Sequence, residues 1–141
     1  MDFGKDLLEK RPCRTNIMHE GFNGPENALD GTGKRFWHSK FDENGEAYIE
    51  LFLGGTKTIS RWLTQGTGAR NGFKLNNRDF RLEYKLRRED EWKIADAVKD
   101  NTDTLTVREF APVKANVVRL VFTNEKKDED YAVRLHRFCL A

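Results

Sequence analysis

The segment RDFRLEYKLR, residues 78–87, alternates apolar and charged side chains without a break. Phe80, Leu82, Tyr84 and Leu86 fall on one face and Arg81, Glu83, Lys85 and Arg87 on the other, the period of two that belongs to a strand with one face in a core and the other in water. Such a strand constrains its chain to an antiparallel architecture with a second apolar layer to pack against. Other segments keep the same period. AYIELFLGG sets Ile49, Leu51 and Leu53 together, with Tyr48 and Phe52 opposite, and stops at Gly54-Gly55; KTISRWLTQ then sets Ile59 and Leu63 against Trp62. A short Gly turn between two strands predicts a hairpin. TLTVREF and NVVRLVFT continue the pattern, and Pro112 in the intervening APVKA is expected to end the first strand before the second begins. In YAVRLHRFCLA, Val133 and Leu135 share one phase while Phe138 and Leu140 share the other, and this slip predicts a bulge near His136.

Helical signals are few. DFGKDLLEK is compatible with a short N-terminal turn, and PENALDG with one turn opened by Pro25 and closed by Gly31. HSKFDENGEA, GTGARNGFKLNN and NEKKDED are loops rich in Gly, Asn and Asp. No internal repeat or low-complexity linker divides the chain, so residues 1–141 are expected to form one domain. About eight short strands with polar loops predict an all-β fold, an antiparallel β-sandwich of jelly-roll type.

Composition narrows the function classes. A chain of 141 residues with 38% hydrophobic content supports a single sizeable core. Lys and Arg number 25 against 23 Asp and Glu, a net charge of +2, which lacks the basic excess of a nucleic-acid partner. No apolar run approaches the roughly 20 residues that span a bilayer, and membrane insertion is not expected. The N-terminal MDFGKDLLEK has no apolar signal region, so either the protein is intracellular or it is a segment of a longer, exported chain. Cys13 and Cys139 sit near the two ends. If the first and last strands are neighbours, one disulfide would close nearly the whole domain, worth about 4–5 kcal/mol in the loop-entropy picture; the alternative is two buried free thiols in edge strands. Together with the scattered His19, His38 and His136, they show no zinc-ligand spacing. No Gly-x-Ser-x-Gly elbow, phosphate-binding Gly-rich loop or zinc motif is present, so no catalysis is expected of this chain and any would lie in another domain.

The order of motifs then becomes informative. ALDG is followed by FWHS, YIELFLGG, a strand and a GARNG loop, EDEWK, and EFAPVKANVVRLVF. From about Asn27 to Ala141 this order resembles the discoidin or coagulation factor V/VIII type C fold, and within it the family 32 carbohydrate-binding modules of the galactose-binding-like class. The resemblance implies a lectin-like, non-catalytic carbohydrate-binding module that brings an attached enzyme or surface protein to a glycan. It implies an extracellular or cell-surface setting, other modules of a parent chain as neighbours, and a monomeric domain.

In the resembled family the Asp-Gly loop often binds calcium through an Asp, backbone carbonyls, a hydroxyl before the Trp and a Glu in the last strand, which suits an ion that takes six to eight oxygens. Asp30 matches that pattern, with the fitting spacing to Trp37. Arg35 occupies the hydroxyl position, however, and Arg137 or His136 the position of the last acid. Cationic side chains are electrostatically unsuited to a calcium shell, so no cofactor is expected and Asp30 marks a degenerate calcium loop. One expectation is that an arginine pairs with Asp30 where the ion would sit; the other is that Asp30 only caps its own turn while both arginines face water.

The resemblance also implies a ligand site. His38 opens the loop after Trp37, and a neutral imidazole offers one donor and one acceptor to ring hydroxyls. Arg70 and Asn71 of TQGTGARNGF are the matching partners, the Arg supplying a planar fork of donors. Tyr131, before the final strand, is the stacking aromatic for the apolar face of a pyranose, with Phe41 and Phe73 as alternatives in neighbouring loops. Lys40, Asp42 and Glu43 would tune the site for an acidic or an amino sugar. Each of these has a plainer alternative as a solvated loop residue or a lid over the core; Trp37 and Trp92 are read as core or lid and Trp62 as a strand residue. The rival functional reading is a discoidin-type protein-interaction scaffold or a phospholipid-binding domain, the latter disfavoured by loops that are mostly charged and polar with single Phe residues.

Overall fold

A computed structural model describes residues 3–17, 22–68 and 76–141. Its strands are β1 (Cys13–Thr15), β2 (Trp37–Ser39), β3 (Glu46–Gln65), β4 (Phe80–Lys85), β5 (Lys93–Val98), β6 (Leu105–Thr123), β7 (Val133–Leu135) and β8 (Arg137–Leu140), with one 3-10 turn at Pro25–Ala28. All strand pairs are antiparallel: the larger sheet runs β1-β3-β6-β4-β5 with β8 also on β3, and β2 pairs with β7 in a separate two-stranded ribbon. The architecture is the antiparallel β-sandwich expected from the alternation.

The larger sheet folds over on itself because β3 and β6 are long and bent. Residues 53–56 of β3 face Asn116 alone, and residues 110–112 of β6 face Ser60 alone. At the first bend Gly54 and Gly55 have φ of 75° and 138°, values that favour glycine, and the Gly55 N–H donates to the Asn116 Oδ1 at 3.2 Å. The predicted hairpin at Gly54-Gly55 is therefore a bulge within one continuous strand. Pro112 likewise does not end a strand. It sits in the second bulge, where the ladder asks for no N–H, and Ser60 there bonds to Ala141 O instead, at 2.9 Å. The bends bring Trp62 of β3 against Phe80 of β4 at 5.8 Å, and Phe80 against Phe122 of β6 at 5.5 Å. Fully buried Trp37, Ile49, Leu51, Leu82, Leu120 and Phe138 complete the core between the layers.

Two further expectations are corrected. The N-terminal segment is an irregular strap with a turn only at Glu9–Lys10, closed by Arg11 N–H to Leu8 O at 3.0 Å, because the Asp6 carboxylate accepts the backbone N–H groups of both Leu8 and Leu140 at 3.0 Å and Leu7 N–H donates to Leu140 O at 2.8 Å. The phase slip at His136 is a change of sheet and not a bulge: Val133–Leu135 pair with β2, Arg137–Leu140 pair with β3, and His136 N–H donates to Gln65 O between them. The cysteines are free. Both flank β3 on its β1/β8 side, but Cys13 is opposite Leu51 and Cys139 opposite Leu63, so they lie at separate stretches of that strand.

The outer face of the sheet carries a charged row in register, Arg14, Glu50, Arg119 and Glu83, on four adjacent strands. Glu50 pairs with Arg14, and Glu83 accepts Arg119 Nε at 2.5 Å and Arg81 Nε at 2.6 Å. Trp92 covers this row, its ring 4.4 Å from the Arg119 guanidinium.

Candidate functional site

At one end of the sandwich a depression of about 580 Å³ opens between residues 40–45 and residues 124–132, with His38 and Arg134 on its wall. The wall is the β2/β7 ribbon. Trp37 and Ser39 of β2 and Val133 and Leu135 of β7 are buried, which leaves His38 and Arg134, directly opposite each other, with the other phase. His38 N–H is held by Asn23 O at 3.0 Å.

Each loop is braced internally, so the pocket is built before any ligand arrives. In the first, Asp42 Oδ1 accepts the N–H groups of Asn44 and Glu46 at 2.9 Å, while its Oδ2 accepts Asn16 Nδ2 at 3.0 Å. In the second, Asn124 and Asp128 bond reciprocally through side chain and backbone, and Asp128 Oδ2 takes the Arg78 guanidinium at 3.1 Å. The Asp130 N–H, and then the Arg78 guanidinium, hold the Asp128 carboxyl below its ordinary range. The loops are stitched at their bases by Asn124 N–H to Gly45 O at 2.8 Å. Gly45 has φ of 75°, and a Cβ there would lie 2.9 Å from Asn124 O, so only glycine allows the approach.

The sequence-predicted residues have distinct places. His38 lines the pocket, and burial, followed by the positive charges of Arg134 and Lys40, pushes its imidazole below the ordinary value, so it is neutral at pH 7. Phe41 also lines it and is half-buried, its ring 5.1 Å from that of Tyr131. Tyr131 is only 6% exposed. Its other close neighbour is the Arg78 guanidinium, 3.9 Å from the ring centroid, and its hydroxyl accepts Arg78 N–H at 2.7 Å, so the ring is built into the pocket wall and presents little open face. Arg70, Asn71 and Phe73 lie outside the described residues. Lys40, Asp42 and Glu43 line the pocket too, with Asp42 committed to its turn. Among the described residues, His38, Lys40, Glu43 and Glu129 have no side-chain hydrogen-bond or ion-pair partner, so these groups are available at the mouth.

Sequence reasoning missed Arg134 and its support. Asn77, 4% exposed, donates its Nδ2 to Arg134 O at 2.9 Å and accepts Arg134 N–H on Oδ1 at 3.1 Å. The alternation of YAVRL already placed Arg134 out of phase with the buried Val133 and Leu135, and that was the available signal.

The Asp30 loop lies at the start of β2. Asp30 Oδ1 accepts both the N–H and the hydroxyl of Thr32 at 2.9 Å, and Arg35 stands 3.8 Å from Oδ2 with its side chain largely in water. Burial works to raise the Asp30 pKa, but the two Thr32 bonds, with Arg35 beyond them, hold it below the usual range. The Gly33 carbonyl faces His136 Nδ1 at 3.0 Å, and Arg137, bonded to Gln65 Oε1 at 2.7 Å, packs beside Gly33. Among the described residues no group of three or more His, Cys, Asp or Glu side chains converges on a metal-sized site. One carboxylate with a saturated oxygen, a carbonyl already facing a ring nitrogen and arginines on two sides do not fit a calcium shell.

A sequence model of the F5/8 type C domain family matches residues 13–136. Comparison with curated proteins returns no match. Among solved structures, the family 32 carbohydrate-binding module from Streptococcus pneumoniae EndoD superposes with a TM-score of 0.78 at 23% identity, over 97% of this chain and 99% of that one. The module CpGH89CBM32-5 from Clostridium perfringens, in complex with GalNAc-beta-1,3-galactose, gives 0.77 at 17% identity, over 96% and 99%. Chitosan-binding module 2 of a chitosanase/glucanase from Paenibacillus sp. IK-5, in complex with chitotriose, gives 0.74 at 15% identity, over 96% and 98%.

Proposed function

The chain belongs to the F5/8 type C domain family, and on that basis we propose that it is a non-catalytic carbohydrate-binding module whose ligand site is the pocket between residues 40–45 and 124–132. The observation that carries this reading is the pairing of a neutral His38 with Arg134 on the wall of a braced, open pocket. A neutral imidazole and a guanidinium together offer the mixed donors and acceptor that vicinal hydroxyls need. Half-buried Phe41 supplies the apolar surface beside them, with Tyr131 behind it as support. Similar modules were solved with GalNAc-beta-1,3-galactose and with chitotriose, which favours a saccharide of one to three rings as the ligand class.

The module's role is to hold an attached enzyme or surface protein on an extracellular glycan, with weak single-site affinity raised by multivalency. It does so as a monomer and without a metal. Arg70 and Asn71 remain proposed partners of His38 on the neighbouring loop. A glycan array probed with the purified chain, in parallel with calcium and with chelator, tests the reading. Binding of a defined saccharide in both conditions, lost in His38→Ala and Arg134→Ala, is the expected result. No binding in either condition would replace it with a protein-interaction scaffold.

A further inference from the structure

The loop from Asp30 to Phe36 feeds directly into β2, and His136 directly follows β7, so a bond between them joins the two strands that carry His38 and Arg134. The His136 ring meets this loop in two ways. Nδ1 lies 3.0 Å from Gly33 O, and the imidazole stacks on Phe36 with centroids 5.1 Å apart and planes 28° from parallel. The partner is a carbonyl, which only accepts, so Nδ1 must carry the proton for this contact to be a hydrogen bond. Around it Thr32 donates to Asp30 Oδ1 through both its N–H and its hydroxyl, and the Gln65–Arg137 pair packs beside Gly33. Gly33 has φ of 71°, which turns its carbonyl toward the imidazole, and a Cβ there would press to 3.2 Å from Gln65 Oε1.

We infer that His136 is a positioning residue that fastens the Asp30–Trp37 loop to the end of β7 and takes the place of a metal ion in setting the pocket wall, leaving that loop with no calcium site. The inference does not depend on the sugar reading, because calcium alone and the folded chain are the probes. Its physical basis is that two of the loop's acceptors, Asp30 Oδ1 and Gly33 O, already meet donors of the chain, and that the second Asp30 oxygen faces Arg35 at 3.8 Å. A cation taking Gly33 O and Asp30 Oδ1 as ligands would displace the imidazole and Thr32, and one at Asp30 Oδ2 would meet Arg35, with Arg137 beside the loop adding to the repulsion.

The test has two parts on the full 141-residue chain. In the native protein, nitrogen NMR shifts of His136 report which ring nitrogen is protonated; protonated Nδ1 is expected, and a neutral ring with the proton only on Nε2 overturns the inference. Calorimetric titration and thermal melting after chelator treatment are then repeated with calcium. No heat of binding and an unchanged Tm are expected, whereas an ion present at about a hundred times its Kd would raise Tm by roughly 5–10 °C and overturn it. His136→Phe keeps a ring to stack on Phe36 and removes the donor. It is expected to lower Tm and to shift the amide resonances of residues 33–39 without recovery on adding calcium. Resonances that stay in place, or that calcium restores, count against the inference.

Discussion

Asn77 holds Arg134 by both polar groups of its backbone, with Nδ2 on the carbonyl at 2.9 Å and Oδ1 taking the N–H at 3.1 Å, across 57 positions of sequence. A buried side-chain amide thus acts as one more strand residue on the free edge of β7, while the other edge pairs with β2. Asn77→Ala leaves a buried N–H and a buried C=O without partners, at a cost of about 1–3 kcal/mol each where water cannot reach them. The expected outcome is a lower denaturant midpoint together with weaker glycan binding, since Arg134 loses its fixed position. Asn77→Asp keeps the acceptor but sets a buried carboxylate oxygen against Arg134 O, so a loss at least as large as that of Asn77→Ala, measured by chemical denaturation, checks the assignment.

His38 predicts a pH dependence with a definite sign. Its folded-state pKa is lowered by burial and by Arg134 and Lys40, so between that value and the ordinary 6.5 the unfolded chain binds the proton and the folded chain does not. Stability from this group is therefore fully present above about pH 6.5 and is lost as pH falls below it. Glycan affinity should follow the same direction, level near neutrality and falling in acid as the imidazole loses its acceptor. His38→Gln, which keeps a donor and an acceptor at all pH values, should flatten the profile. A profile of the same shape in wild type and variant would remove His38 from the contact.

The sandwich was legible because alternation is a local signal. RDFRLEYKLR reads directly as β4 with Phe80 and Leu82 inward, and the inward phase of Ile49, Leu51 and Leu53 held as well. What misled was punctuation. Gly54-Gly55 and Pro112 have the local chemistry of strand ends, yet Asn116 and Ala141 supply the bonds that let β3 and β6 run on through bulges, and those partners are distant in sequence. The site shows the same division. His38 is announced by its neighbour Trp37, whereas Tyr131 is buried by Arg78 and Phe41, and Arg134 is fixed by Asn77, contacts that no window of sequence contains.

Tyr131 offers a way to separate wall from ligand contact. Tyr131→Phe keeps the ring between Phe41 and Arg78 but removes the acceptor of Arg78 N–H, and is expected to lower stability by about 1–2 kcal/mol with little change in glycan affinity. Thermal melting and calorimetric titration on the same variant check both halves. A large loss of affinity at unchanged stability would mean that the hydroxyl touches the ligand.

The free thiols give a chemical prediction. Burial, reinforced by Glu26, raises the Cys13 thiol to about 11, and burial, reinforced first by Asp6, raises Cys139 to about 12. Both are therefore protonated and unreactive at neutral pH, since the thiolate is the nucleophile. Alkylation of the folded chain at pH 7.5 should be much slower than that of the chain in denaturant, and reductant should leave Tm unchanged. A Tm that falls with reductant would show that the two cysteines are joined in solution.

The outer-face charge row is the last feature whose contribution can be measured directly. Glu83 is 5% exposed and depends on Arg81 and Arg119, while the side chains of those arginines keep some contact with water. Removing one partner strands part of a buried carboxylate charge, which costs about 3–5 kcal/mol in a fully buried pair. For Arg119→Met the solvent left at the site and the remaining Arg81 bond reduce this, and a loss of about 2 kcal/mol is expected. The double variant Arg119→Met with Glu83→Gln removes the orphaned charge along with its partner and should recover part of that loss. Urea denaturation of the single and double variants gives the coupling energy; strictly additive losses would mean that Glu83 and Arg119 do not stabilise each other across β4 and β6.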